Sequence, residues 1–229
     1  MPQRVAYSPQ WRRLVIKDLT AVRYDYQQGS LNEDQAALDP FTQFNDWLHT
    51  ALHSALREPY AMTLATSTPD GYPTARVVLL RQFDSTGLVF YTNYTSAKGL
   101  ALQANPRAAV VFYWDLLERQ VRVTGDVTRL SAAENQVYFS KRPHASQLAA
   151  MASPQSQAIP NSAFLKERIA DLEAQYPLGS SPPCPPNWGG LRLVPHYFEF
   201  WQGRPSRLHD RLAYTRQPDN TWLRERLAP

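Results

Sequence analysis

Apolar positions change their period along the chain. From Asp39 to Glu58, "DPFTQFNDWLHTALHSALRE", the residues Phe41, Phe44, Trp47, Leu48, Ala51, Leu52, Ala55 and Leu56 recur at helical spacing, and Asp39-Pro40 suits a helix start. The pattern then turns to alternation and short continuous apolar runs. "YAMTLATST", "TARVVLLRQF", "LVFYTN", "AAVVFYW" and "QVRVTGDVTRL" are rich in β-branched and aromatic residues and predict strands. Turn signals separate them at "TPDGYP", "DSTG" and "ANPR", and "SAKGLALQAN" predicts a short helix between strands. "SAAENQVYFSKRP" and "NSAFLKERIADLEAQYP" predict two more helices, the first with Ser131 and Glu134 spaced as a capping box. A proline-rich loop, "PLGSSPPCPPN", precedes two last strand signals, "LRLVPHYFEFWQG" and "RLAYTRQPDNTWLRERL". Upstream, "AVRYDYQQGSL" reads as a helix ending near Gly29, and residues 1–20 as a poorly anchored arm. The expected fold is α+β and mainly antiparallel β: a meander closing into a barrel, with peripheral helices, in one domain over residues 21–229.

Composition narrows the function classes. The chain has 229 residues, 43% of them hydrophobic, which supports a sizeable core and argues against disorder. Its formal charge of +4 is spread rather than blocked, and no aromatic-plus-basic RNA motif appears, so no nucleic-acid partner is expected. Cys184 is the single cysteine, which excludes a disulfide framework and fits a reducing compartment. No signal peptide or membrane-length apolar run is evident, so a cytoplasmic protein without membrane contact is expected. The nine glycines form neither GxGxxG nor a P-loop, and there is no GxSxG elbow. His49 and His53 stand one helical turn apart, but no HExxH or evident third ligand accompanies them, and no metal site is expected.

The cations are distinctive in kind and place. Arginine outnumbers lysine, 20 to 4. Arg76 and Arg81 bracket the apolar "VVLL", which should be buried or nearly so; Arg119 and Gln120 precede "VRVTG"; Arg142 follows a helix carrying Tyr138. In "SRLHDR", an extended backbone would put Arg207, His209 and Arg211 on one face. Asp84, Asp115, Glu118 and Asp210 could pair some of these cations, and each arginine taken alone reads as a salt bridge. Interleaved with Tyr, Thr, Ser and Gln, the whole set predicts a site for phosphorylated ligands with aromatic bodies.

The segments "RVVLLRQFDSTGLVFYTNYTSAKG", "LERQVRVTG", "YFSKRPHASQ" and "FWQG…SRLHDRLAY" together resemble the pyridoxine/pyridoxamine 5′-phosphate oxidases, in the same order and with similar spacing. The resemblance runs from about Arg23 to the C-terminal "RLAP". It implies an FMN-binding split β-barrel and a homodimer with two sites at the subunit interface. It also implies oxidation of pyridoxamine or pyridoxine 5′-phosphate by O₂ to pyridoxal 5′-phosphate, with release of H₂O₂ and, from the amine, NH₃. On this resemblance FMN contacts fall on Arg76, Val77, Val78, Leu79, Leu80, Arg81, Tyr91, Thr92, Lys98, Gln120, Gln155, Ser156, Trp201 and Arg211. Substrate contacts fall on Arg81, Tyr138, Arg142, Ser146, Arg207 and His209, the last two oriented over the reacting group, with an N-terminal lid contact at Arg23 through Tyr26.

Two positions depart from the family pattern. Arg81 stands where lysine is usual, and Ala97 where "SRKG"-like sequence has arginine, so weaker FMN binding than is usual for the family is expected. Two other readings stay open: a flavin- or pyridoxal-phosphate-binding carrier without turnover, and a related split-barrel flavin oxidase acting on another aromatic substrate such as a phenazine precursor.

Overall fold

A computed structural model describes residues 24–229. The apolar stripe after Asp39 forms helix α1 (Pro40–Leu52), whose Asp39 side chain caps the Thr42 amide. It stops earlier than the pattern suggests, because the His53 amide and the Ser54 hydroxyl turn back onto the last carbonyls. Phe44, Trp47, Leu48 and Ala51 of its inner face are buried in the main core.

Nine strands follow among the described residues: β1 (Ala61–Ser67), β2 (Pro73–Leu79), β3 (Gln82–Asp84), β4 (Gly87–Asn93), β5 (Arg107–Trp114), β6 (Arg119–Arg129), β7 (Trp188–Gln202), β8 (Asp210–Arg216) and β9 (Trp222–Arg226). Every pairing is antiparallel, in the order β2-β1-β5-β6-β7-β4-β3, with β8 also on β7 and β9 on β8. β3 follows β2 after two residues, and the Leu80 amide still reaches Tyr60 while the Arg81 amide reaches Val89. The β2–β3 run therefore joins the two ends of the sheet order, and the sheet curls into a barrel. Leu64, Phe90, Phe112, Val121, Val123, Phe198 and Phe200 are each fully buried in its core.

β6 and β7 slip register between Thr124 and Gly125, where Pro195, which has no amide to donate, faces Gly125 and His196 is the extra residue. A Cβ on Gly125 would stand 2.0 Å from the Val194 carbonyl, so only glycine lets the strands meet there.

Helices α2 (Ala97–Ala104), α3 (Ala132–Ser140), α4 (His144–Ala152) and α5 (Ser162–Gln175) lie outside the sheet path. The capping box on α3 is formed reciprocally by Ser131 and Glu134. α4 is an element the apolar pattern did not announce; it starts directly after Pro143 and is rich in alanine.

Three other expectations are corrected. Residues 24–29 are not helical. Their backbone bonds to distant groups instead: the Gln27 and Gln28 amides donate to Glu118 Oε2, and the Gly29 carbonyl accepts from Arg204. "VVLL" is not uniformly buried, since β2 is an edge strand; Val77 is exposed, Val78 and Leu79 are half-buried, and only Leu80 enters the core. The Arg207 end of "SRLHDR" is not extended: Pro205–Arg207 form a tight turn, Ser206 and Arg207 have φ of 55° and 61°, and β8 begins only at Asp210. The shared strand face of Arg207, His209 and Arg211 therefore does not exist. The arm at residues 1–20 lies outside the described residues.

Candidate active site

β2, β4, α2, the C-terminal end of α3 and the segment after α4 surround a cavity of about 350 Å³. It is lined by Arg76, Val77, Val78, Leu79, Arg81, Tyr91, Thr92, Lys98, Tyr138, Arg142, Gln155 and Trp188. Arg76 is set by the β1–β2 hairpin: its Nη1 donates to the Leu64 carbonyl at 3.0 Å and Thr66 Oγ1 at 2.8 Å, and its Nη2 to Thr74 Oγ1 at 2.6 Å. Lys98, in the first turn of α2, donates to Gln155 Oε1 at 2.8 Å and Thr92 Oγ1 at 3.3 Å. The Arg142 guanidinium lies 4.6 Å over Trp188, and its Nη1 is buried without a hydrogen-bond partner among the described residues.

The charge balance is one-sided. Among the described residues, four cations line the cavity and no carboxylate does. Among the described residues, none of Arg76, Arg81, Lys98 and Arg142 makes an ion pair. Burial pulls the pKa of Arg76 and of Arg142 below the ordinary arginine value; burial, then the charge of Arg76, does the same to Lys98. Each shift shows that this site disfavours uncompensated positive charge, and each would be relieved by an anion. One wall is aromatic: Tyr91 and Tyr138 stack at 3.6 Å, and Trp188 continues the stack 5.3 Å from Tyr91. Burial, then Tyr138, pushes the Tyr91 phenol up to about 12, so it remains a proton donor at neutral pH.

Other expected residues gather elsewhere. His209 lies 4.7 Å from Trp201, and Tyr26 packs edge-on against both at 5.5 Å. The Arg204 amide donates to His209 Nδ1 at 3.1 Å, which puts the proton of the neutral ring on Nε2. Burial, then Arg207, lowers the His209 pKa. Arg207 is exposed beside this group. Gln120 pairs with Trp201 across β6 and β7. Arg211 is held by the buried Glu199 at 3.2 Å and by the Ala228 carbonyl at 2.6 Å, and Glu199 also holds Arg122 at 3.0 Å.

Trp188 opens the 15-residue β7 and Trp201 stands next to its end, so up to about 40 Å of strand separates the cavity from the His209 group. Within one chain the two groups do not meet.

Of the remaining expected contacts, Leu80 is buried in the barrel core, Ser146 sits in the first turn of α4, and Ser156 is exposed with φ of 70°. Arg23 lies outside the described residues. Ala97 is exposed at the start of α2, one residue before Lys98, and its methyl group does not line the cavity. Sequence reasoning missed Trp188, which falls between the proline-rich loop and the strand signal that begins at Leu191. It also missed Thr66 and Thr74, the neutral partners of Arg76; their direct pairing across the "ATSTPDGYPTAR" hairpin was the available signal.

The fold and the cavity define a β-barrel protein with a cation-rich cavity beside an aromatic wall. Residues 48–176 match the family model for pyridoxamine 5′-phosphate oxidase, and residues 188–229 that for the pyridoxine 5′-phosphate oxidase C-terminal dimerisation region. A pyridoxine/pyridoxamine 5′-phosphate oxidase of Methylibium petroleiphilum is 53% identical over 212 residues, covering 93% of this chain and 99% of its own. One of Microcystis aeruginosa is 51% identical over 208 residues, covering 91% and 97%. The chain belongs to the pyridoxine/pyridoxamine 5′-phosphate oxidase family. A solved structure, PhzG from Burkholderia lata in complex with tetrahydrophenazine-1-carboxylic acid, superposes with a TM-score of 0.81 at 35% identity, covering 87% of this chain and 98% of its own.

Proposed function

We propose that this protein is an FMN-dependent oxidase converting pyridoxamine 5′-phosphate and pyridoxine 5′-phosphate to pyridoxal 5′-phosphate. O₂ would be the electron acceptor, with release of H₂O₂ and, from the amine, NH₃. The observation that carries the proposal is the cavity to which the described residues bring four cations and no acid, and in which a buried arginine nitrogen has no partner among them. FMN and the substrate each bring a phosphate near charge −2. The donors present fit both: Arg76 and Lys98 with Gln155 for the cofactor phosphate, Arg142 with Tyr138 and Ser146 for the substrate phosphate. Arg81, with the β2 edge at Val77, Val78 and Leu79, would add donors along the flavin ring. Tyr91, Thr92, Leu80 and Ser156 complete that set in the reading from resemblance.

The site is proposed to be composite. Arg207, His209, Trp201, Gln120, Arg211 and Tyr26 lie at the far end of β7 from the cavity, so a second copy of the chain would bring its His209 group to the first copy's cavity. The match of residues 188–229 to a dimerisation region supports this homodimer. In such a dimer residues 21–229 act as one unit, with β7 running from one site to the other.

When bound, the flavin supplies the hydride acceptor. The chain's own residues would do the rest. Phosphate held at Arg142 and Tyr138 fixes one end of the substrate; Arg207 and His209 orient the other and place the reacting carbon. Nε2–H is the donor left to the neutral His209 ring, because Nδ1 is occupied by the Arg204 amide. His209 in this tautomer positions the substrate by donating a hydrogen bond, and takes a proton only by giving up the Arg204 contact.

The test is turnover of the purified protein with FMN and pyridoxamine 5′-phosphate in air, followed by pyridoxal 5′-phosphate absorbance and peroxide. The expected result is stoichiometric formation of both. Bound FMN without turnover of either phosphorylated vitamer would replace this reading with a carrier. Oxidation of a dihydrophenazine carboxylate instead would replace it with the reading suggested by PhzG.

A further inference from the structure

Glu118 is outside the cavity and outside the contacts implied by the resemblance, yet it accepts both of the main-chain amides that follow Tyr26. It is 1% exposed and has a left-handed backbone, with φ of 53° and ψ of 38°, at the turn into β6. No arginine or lysine pairs with it among the described residues. Its Oε2 instead accepts two successive amides, Gln27 at 2.7 Å and Gln28 at 2.8 Å. Its carbonyl accepts from the Gly203 amide at 2.7 Å and from Gln202 Nε2 at 3.2 Å. One residue thus ties the N-terminal segment and the end of β7 to the same point.

Tyr26 is seated by this tie. Its ring packs on Trp201 and His209, and it occupies the space above Gly203 so closely that a Cβ there would stand 2.7 Å from the ring. A carboxylate accepting two adjacent main-chain amides makes charge-assisted bonds with a fixed geometry, and burial strengthens them.

We infer that Glu118 is a positioning residue for the reaction, which acts by holding Tyr26 over His209 and so keeping closed the face on which the substrate is oriented. The inference rests on the proposed role of the His209 group. It adds a residue that touches neither ligand.

The experiment compares Glu118→Ala, Glu118→Gln and Gly203→Ala in the FMN-loaded full-length protein. Amide hydrogen exchange at Gln27 and Gln28 reads the tie independently of activity. Glu118→Ala should speed that exchange and raise KM for pyridoxamine 5′-phosphate by at least about tenfold, with FMN retention unchanged. Glu118→Gln retains one acceptor oxygen and should recover most of the loss in both readouts. Gly203→Ala leaves Glu118 intact but displaces the Tyr26 ring, so it should reproduce the KM rise, and it serves if Glu118→Ala fails to fold. Unchanged exchange in Glu118→Ala, or accelerated exchange with KM unmoved in both alanine variants, would overturn the inference. Absence of turnover in the parent protein would strike the proposed function instead, and the exchange readout would still decide whether Glu118 makes the tie.

Discussion

Replacing Arg142 by methionine is expected to lower kcat/KM for pyridoxamine 5′-phosphate by at least about a hundredfold, since two charge-assisted hydrogen bonds are worth about 1.5–3 kcal/mol each. Arg142 stands on the turn after α3, half-buried over Trp188, with Nη1 lacking any partner among the described residues. A guanidinium in that state is destabilising until an anion arrives, so its favourable interaction is reserved for the ligand. Methionine keeps the apolar stem against the aromatic wall and removes only the fork. FMN retention should stay close to that of the parent. Arg142→Lys should recover part of the loss, because it restores the charge but not the two parallel donors. Steady-state kinetics with flavin content measured on the same samples check the expectation. Equal loss of flavin would move Arg142 to the cofactor's phosphate.

Lys98→Met should weaken FMN binding by about ten- to a hundredfold, the range of one hydrogen bond between charged groups. Lys98 is pinned by Gln155 and Thr92, both neutral, and burial together with Arg76 depresses its pKa. The sign of the pH dependence follows. A phosphate dianion binds the protonated amine, so FMN affinity of the parent should be steady below the depressed pKa of free Lys98 and fall as the pH rises through it. That fall should begin at a lower pH than an ordinary lysine would give, and it should be absent in Lys98→Met. Flavin fluorescence titrations across alkaline pH measure both effects.

Much of this was legible in the sequence because it depends on local rules. Alternation in β1, β5 and β6, the continuous apolar run of β4, the turn residues between them, and the Ser131–Glu134 box each specify structure over a few residues. The cavity cations were legible as a class, since arginines flanking apolar strands need an anion. What failed depends on distant partners. "AVRYDYQQGSL" looked helical because its amides had no visible acceptor in sequence; their acceptor is Glu118, about ninety positions on. "SRLHDR" looked extended because alternation cannot report the two left-handed residues, Ser206 and Arg207, that bend it. The depth of "VVLL" was misjudged because hydrophobicity does not say whether a strand is central or at an edge. Arg211 could be named a cation in search of an anion, but only the folded chain shows that Glu199, two residues before its register partner Trp201, already holds it. Separation was the least legible feature: residues grouped by chemistry proved to lie at opposite ends of β7.

That separation is also the most exposed claim, and hybrid dimers test it directly. Arg142→Met would remove the proposed substrate anchor from the cavity, and Arg207→Ala the proposed orienting group from the far end of β7; each homodimer should be nearly inactive. Unfolded and refolded together in equal amounts, the two variants form mixed dimers. In a two-fold dimer with composite sites, each mixed dimer carries one intact site and one doubly damaged site. With half of all dimers mixed, activity should return to about a quarter of the parent value. Activity no greater than the sum of the two separate variants would contradict the composite site and place all the determinants of one reaction within a single chain.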